Sequence, residues 1–161
     1  MTIEPRALRD AAGVFATGVA VITTLDARGE KIGFTANSFA SVSLSPPLVS
    51  FNLSRNANSL AAFTASTHFA VNILADDQEA LSRRFASRED DKWQGVATTV
   101  WETGSPILEA ALASFDCERH AVLEGGDHLI FLGRVLRLAA REGEPLLFFR
   151  GGYRELAPAR K

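Results

Sequence analysis

Two alternations with a period of two dominate the middle of this chain. In Ser41-Val42-Ser43-Leu44-Ser45 the serines fall on one side and Val42 and Leu44 on the other. In Val49-Ser50-Phe51-Asn52-Leu53-Ser54 the apolar set is Val49, Phe51 and Leu53, and the opposite set is small and polar. A period of two marks a strand with one buried face. Val42 and Leu44 are therefore expected inside, with Val49, Phe51 and Leu53. Pro46-Pro47 parts the two strands, since proline cannot continue a ladder. Upstream, Leu8, Ala12 and Phe15 recur at helical spacing, so a helix is expected from Pro5 to Ala16, ended by Thr17-Gly18. Val19 to Leu25 is a β-branched strand that returns through Asp26-Ala27-Arg28-Gly29 into Lys31 to Ala36 as a hairpin.

Downstream the same reading continues. Asn58 or Ser59 caps a short helix from Leu60. His68 to Leu74 is a strand with Phe69, Val71 and Ile73 on one face. Asp76-Asp77-Gln78-Glu79 starts a helix in the manner of a capping box, carrying Leu81 and Phe85 four residues apart. Ser87 to Lys92 is a charged, solvated loop, and Trp93 to Trp101 is part loop and part strand. Leu108 to Leu112 is expected to make one helical turn. Ser114 to Glu124 is a long strand alternating Phe115, Cys117, Ala121 and Leu123. Gly125-Gly126-Asp127 turns the chain into another, His128 to Ala139, and Pro145 to Phe149 follows. Many short strands, hairpin turns and a few helices predict a mainly β fold, a closed antiparallel barrel rather than a βαβ sheet.

Composition narrows the function. The 161 residues, 47% hydrophobic and 22% charged, predict one globular domain over residues 1–161. A net charge of −2 offers no basic surface for nucleic acid or anionic lipid. The lone Cys117 excludes an internal disulfide and fits a reducing cytosol, so a cytoplasmic protein is expected. The first ten residues have no apolar core of the kind a signal peptide carries. The serines and prolines of the long uncharged run 32–54 exclude a membrane span. His68, His120 and His128 share no ligand spacing, so no metal site is expected. Cys117 sits on an apolar alternation and reads as a packing thiol. No G-x-S-x-G elbow and no G-x-G-x-x-G between strand and helix is present.

The stretch from Gly33 to Ser59 holds one charge, Arg55, and its polar face is made of Ser, Thr, Ala and Asn. Solvated strand faces ordinarily carry longer, charged residues. Small side chains let a flat ligand approach the backbone and leave main-chain donors and acceptors for its edge. Arg55 beside a helix start is a site for an anion. Together these point to a nucleotide-like cofactor with a planar ring. The other reading of the same residues is close packing of a Ser/Ala-rich strand against a second sheet. His128, after Gly126-Asp127, reads either as a turn residue or as a side chain at a hairpin mouth facing ligand. Tyr153 in Gly151-Gly152-Tyr153, the only tyrosine, reads as a barrel-closing aromatic.

Five segments in order, F-A-T-G-V-A-V-I-T-T, T-A-N-S-F-A-S-V-S-L-S-P-P-L-V, F-A-V-N-I-L, G-D-H-L-I-F-L-G-R-V and P-L-L-F-F-R-G-G-Y, span almost the whole chain. With them the chain resembles the short-chain flavin reductases, the reductase components of two-component flavin-dependent monooxygenases. The resemblance implies an antiparallel Greek-key split β-barrel that binds FMN or FAD and takes hydride from NADH or NADPH. It implies that Thr35, Ala36, Asn37 and Ser38 lie along the isoalloxazine, with Ser41, Val42 and Ser43 in the same wall. Ser54, Arg55, Asn56 and Ser59 then meet the flavin phosphate or ribityl chain, and Arg84 and Phe85 reach the same tail. His128 lies beside flavin and nicotinamide as the catalytic residue, and Gly152 and Tyr153 lie near the nicotinamide. The partners implied are a second copy in a homodimer, with Phe148-Phe149 as a contact, and an oxygenase that receives reduced flavin. A flavin carrier or sensor without turnover is the alternative. An oxidase of the pyridoxamine-phosphate-oxidase-like barrels would need more cationic residues for its substrate phosphate than this stretch supplies.

Overall fold

The computed structural model describes residues 2–89 and 91–157, so the expected charged loop is seen without Asp90. In chain order its elements are α1 (Pro5–Ala12), β1 (Thr17–Gly18), β2 (Ala20–Leu25), β3 (Lys31–Ala36), β4 (Ala40–Leu44) and β5 (Pro47–Ser54). Then come α2 (Leu60–Ala65), β6 (His68–Ile73), α3 (Glu79–Ala86), β7 (Thr98–Val100), β8 (Pro106–Leu108), β9 (Ala113–Gly125) and β10 (His128–Ala140). Last are β11 (Leu147–Phe149) and β12 (Gly152–Arg154).

Helix α1 stops short of the expected Ala16. Gly13 closes it by donating to the Arg9 carbonyl (2.8 Å), and the Arg150 N–H binds the Gly13 carbonyl (2.9 Å). The chain is thereby drawn into β1, so Thr17-Gly18, expected only as a terminator, is a strand paired with β11. Pro47 pairs with Leu44 as the first residue of β5. That is a place where a missing donor does no harm, so β4 and β5 form one tight hairpin instead of two strands parted by a proline pair. Before α3, the Gln78 side chain accepts the Ala75 N–H (2.8 Å). This is half of a capping box, since Ala75 has no side-chain acceptor to return the bond.

Seven antiparallel strands form the main sheet, in the order β3-β2-β6-β9-β10-β5-β4. Its two edge strands, β3 and β4, are joined by only three residues, Asn37–Phe39. Such a link reaches at most about 14 Å, so the sheet rolls until its edges nearly meet. Among the described residues no ladder joins β3 to β4. The expected closed barrel is therefore corrected to one split along this seam, and the mainly β split barrel stands.

Inside the roll Phe51, Phe63, Phe69 and Phe131 are buried. The Phe51 ring stacks on Phe131 and meets Phe69 edge-on, each at 4.9 Å. Burying a side chain of this size contributes about 1.5–3 kcal/mol. Phe63 comes from α2, which plugs the roll. Outside it a second cluster of Val21, Leu74, Phe85, Leu108 and Leu146 lies under α3 and β8. Strands β2 and β6 are thus buried on both faces, which is why Thr23, Thr24 and Asn72 are buried among apolar neighbours. Asn72 donates to the Val21 carbonyl (3.1 Å) and accepts from the Leu108 N–H (2.9 Å). That bond and the pairing of Leu108 with Thr98 end β8 at Leu108, and where a helical turn was expected over Leu108 to Leu112 a single turn follows, closed by the Ala111 N–H on the Leu108 carbonyl (3.2 Å).

The expected burial of β4 fails. A register shift between Ser41 and Ser43 turns the strand, and Val42 is 50% and Leu44 94% exposed. An edge strand beyond a bulge has no facing layer. Leu123, expected on a buried alternation, is also exposed. No helix among the described residues is long and apolar enough to cross a membrane.

Candidate functional site

A cleft of about 430 Å³ opens at the split, where the end of β3 and the link after it face the end of β5 and the β9–β10 turn. It is walled by Thr35, Ala36, Asn37 and Ser38 on one side and by Asn52 and Ser54 on the other, with His128 at one end. Each is placed by its own bonds. Thr35 Oγ1 donates to the Ser82 carbonyl (2.6 Å), pinning the end of β3 to α3. Ser38 Oγ accepts the Asn52 N–H (2.9 Å), tying the link across the seam to β5. His128 stands opposite Ser54 in the β10–β5 register.

The hairpin that carries His128 turns through Gly126 and Asp127, and Gly126 has φ of +76°. Glycine adopts that left-handed conformation without the Cβ penalty. His128 Nδ1 lies 2.8 Å from Asp127 Oδ1. The hydrogen bond with His128, reinforced by its charge, holds the Asp127 carboxyl below the usual carboxylate range. An ionised carboxylate can only accept, so Nδ1–H donates to it and Nε2 is left as the second functional atom of the ring.

Arg55 does not line the cleft. Its N–H donates to the Asp127 carbonyl (2.9 Å) and its Nε to the Gly126 carbonyl (2.9 Å). Its Nη2 pairs with the Glu124 carboxylate. The guanidinium is committed to the hairpin. Asn56 is exposed on the turn, its N–H held by Ser54 Oγ (3.2 Å). Ser59 lies in a separate cleft of about 220 Å³ with Lys31, Arg88, Lys92 and Trp93. Ser41, Val42 and Ser43 run along β4 outside the 430 Å³ cleft. Arg84 donates to the Gln94 carbonyl (2.9 Å) and lines a different hollow. Phe85 is buried, its ring 4.8 Å from Trp93. A Cβ on Gly33 would come within 2.7 Å of that ring, so Gly33 and Phe85 are paired by packing, and Phe85 has no surface to offer a ligand.

Tyr153 sits on β12 against Phe148, its Oη 2.8 Å from Ser82 Oγ. Through Ser82 it is joined to Thr35, but neither Tyr153 nor Gly152 lines the cleft that holds His128. A larger cavity, about 750 Å³, lies between the end of α1 and the β11–β12 turn. It is lined by Arg9, Thr17, Phe148, Arg150 and Gly151, and it shares Asn37 with the His128 cleft. Arg9, Thr17 and Arg150 are site candidates the sequence did not single out. The β1–β11 pairing brings them together across more than a hundred residues, and no local pattern announces that. Asn52 was legible as part of the polar face of β5.

Among the described residues no group of three or more His, Cys, Asp or Glu is placed to hold a metal ion. Burial pushes the Cys117 thiol up to about 12, which makes it an inert packing group. The wall suits a flavin in its chemistry. Small residues leave the backbone open to a flat ring, and the amides of Asn37 and Asn52 supply both donors and acceptors to a heteroatom edge.

Residues 12–157 match the family described as the flavin reductase like domain. The chain is 46% identical over 157 residues to the reductase subunit of a flavin-dependent monooxygenase from Rhodococcus jostii, covering 97% of this chain and 80% of the relative. It is 43% identical over 148 residues to an FMN reductase (NADH) of Agrobacterium fabrum, covering 92% and 84%. Other relatives are longer, and the chain spans 48% of their length. An NADH:FAD oxidoreductase of Streptomyces globisporus, solved in complex with NAD and FAD fragments, superposes with a TM-score of 0.91 at 38% identity, covering 100% of this chain and 99% of that one.

Proposed function

The chain belongs to the flavin reductase-like domain family, and from that premise we propose that it is an NAD(P)H:flavin oxidoreductase, the reductase component of a two-component monooxygenase. The observation that carries the reading is the cleft in which Thr35, Ala36, Asn37 and Ser38 face Asn52 and Ser54 with His128 at one end. Bound FMN or FAD would supply the hydride acceptor for NADH or NADPH, with the two rings stacked. What the chain contributes is positioning and exclusion of water. β3 is an edge strand, so N–H groups on its unpaired side and in the link after it would favour the negative charge that reduction brings. His128, whose Nδ1 is held by Asp127, would set the spacing of the second ring from its end of the cleft. Asn37 lines both cavities, so a nicotinamide held in the 750 Å³ cavity by Arg150 and Gly151 would meet the flavin beside it.

The same proposal extends to the assembly. One domain spans the chain, it works as a homodimer in the cytoplasm, and a separate flavin-dependent oxygenase takes the reduced flavin. The test is purified protein mixed with FMN or FAD and NADH or NADPH, followed by loss of nicotinamide absorbance. Many turnovers per chain are expected with at least one of the four combinations. Binding of flavin without turnover in any of them would make the protein a carrier or sensor.

A further inference from the structure

Among the described residues the three-stranded sheet β1-β11-β12 forms no ladder with the main sheet. Its β1 edge runs into β2 through Val19. Just ahead of β11, the Leu146 N–H binds the Leu74 carbonyl (3.0 Å). Strand β12 is the opposite edge, two strand spacings or about 10 Å from β1. The turn that leads into it holds Arg150 and Gly151, which line the 750 Å³ cavity together with Phe148 of β11. No backbone ladder at the β12 edge fixes that cavity relative to the wall of residues 35–38.

Ser82 supplies the fastening. It is fully buried in α3, and it bonds in two directions. Its Oγ lies 2.8 Å from Tyr153 Oη, and its carbonyl accepts from Thr35 Oγ1 (2.6 Å). Among the described residues the Tyr153 bond is the only side-chain hydrogen bond from residues 147–154 to the rest of the chain. Phe85 follows three residues on, on the same face of α3, and its ring closes on Gly33. Helix α3 therefore meets β3 at two points and cannot slide along it. The Tyr153 ring is itself held. It meets Phe148 edge-on at 5.4 Å, and the Arg83 guanidinium lies 4.8 Å from its centroid, paired with Glu79 (2.7 Å). A buried hydroxyl is costly without a partner, so Oγ and Oη hold each other in place.

We infer that Ser82 is a positioning residue for hydride transfer: through Tyr153 and Thr35 it fixes the β11–β12 hairpin against the end of β3, and so sets the spacing of the 750 Å³ cavity from the flavin wall. The inference rests on the proposed placement of nicotinamide in that cavity and of flavin along residues 35–38. Ser82 lines neither cavity and acts only through the two residues it binds. Its effect is on distance, and transfer between stacked rings falls steeply when one is misplaced by about an ångström.

Tyr153→Phe removes the bond and keeps the ring with its Phe148 and Arg83 contacts. Ser82→Ala removes the bond from the other side, and S82A/Y153F leaves neither hydroxyl unpaired. Each variant is loaded with flavin and reduced by NADH or NADPH in stopped flow, with flavin Kd, KM for nicotinamide and Tm measured alongside. The limiting rate at saturating nicotinamide is expected to fall about tenfold in each single variant and no further in the double, with flavin Kd unchanged. The double variant regains the Tm lost by the singles, because replacing both partners of a hydrogen bond by apolar groups is nearly neutral, but it does not regain the rate. A merely structural Ser82 gives a rate per folded molecule that stays at the wild-type value in all three, and that result overturns the inference. A wild-type limiting rate in Tyr153→Phe alone overturns it as well, and serves if Ser82→Ala does not fold. So does a loss confined to KM for nicotinamide or to flavin Kd, which makes the hairpin a binding element only. If the wild type binds flavin and neither nicotinamide reduces it, the proposed function falls, and this inference with it.

Discussion

His128 owes its position to two local facts and one distant one. Gly126 makes the turn, Asp127 orients the ring through Nδ1, and Ser54 stands across the ladder from it. The Asp127 carboxylate has a lowered pKa. Its charge is therefore present throughout the neutral range, and the contact is lost only as the pH falls through the lowered value. In the proposed mechanism His128 spaces two stacked rings, and hydride transfer is steep in that spacing. We expect His128→Ala to slow reduction of bound flavin by NADH roughly ten- to a hundredfold, with flavin affinity less affected. Stopped-flow reduction of the flavin-loaded variant at saturating NADH measures this. A wild-type rate with unchanged nicotinamide affinity would leave His128 a turn residue.

At the scale of elements, the β9–β10 hairpin is fastened to the end of β5 by Arg55. Its three bonds to Asp127, Gly126 and Glu124 join two segments about seventy residues apart in sequence. The exposed ion pair adds little, about 0.2–1 kcal/mol, and a hydrogen bond to a backbone carbonyl adds roughly 0.5–1.5 kcal/mol. Loss of Arg55 should therefore loosen the turn without unfolding the barrel. In Arg55→Ala, hydrogen–deuterium exchange is expected to rise at Gly126 to His128, and turnover to fall more than FMN affinity. A tenfold loss of FMN affinity with unchanged exchange would instead make Arg55 a phosphate ligand, the role the sequence pattern assigns it.

For the whole molecule, the surface of one chain leaves apolar residues uncovered. Val42 and Leu44 lie on edge strand β4, and Leu136 and Leu138 lie on the far half of β10. An exposed apolar edge strand is a template for pairing with another chain. A stable interface takes about 800 Å² from each partner. Phe148 and Phe149, the contact expected from sequence, are half-buried in the chain's own β11–β12 hairpin. The homodimer we propose is therefore assigned to β4 and its neighbours. Light scattering at micromolar concentration should give twice the chain mass for the wild type. Leu44→Glu should shift it to the single chain, and a single-chain mass for the wild type would end the dimer reading.

The sequence by itself determined the elements whose causes are local. The hairpins at 26–30 and 125–128 follow from turn residues, and the burial of Val49, Phe51 and Leu53 follows from a period of two on a strand with one interior face. The small-residue wall from Thr35 to Ser38 was legible as a pattern, whereas its meeting with Ser54 and His128 came from the family resemblance, since the residues alone left His128 either a turn residue or a cleft residue. Tertiary structure decided what depends on partners far along the chain. A bulge between Ser41 and Ser43 turned Val42 and Leu44 outward, although their alternation reads as buried. Phe85 was drawn into packing against Gly33 and Trp93, and Arg55 was taken by Glu124 and Gly126. Lys31 was brought into one cleft with Arg88 and Lys92, more than fifty residues further along the chain. Alternation and capping report only which side of a local element is apolar. Which layer, hairpin or open seam meets that side is settled when the sheet rolls up, and there long-range pairing outweighs local preference.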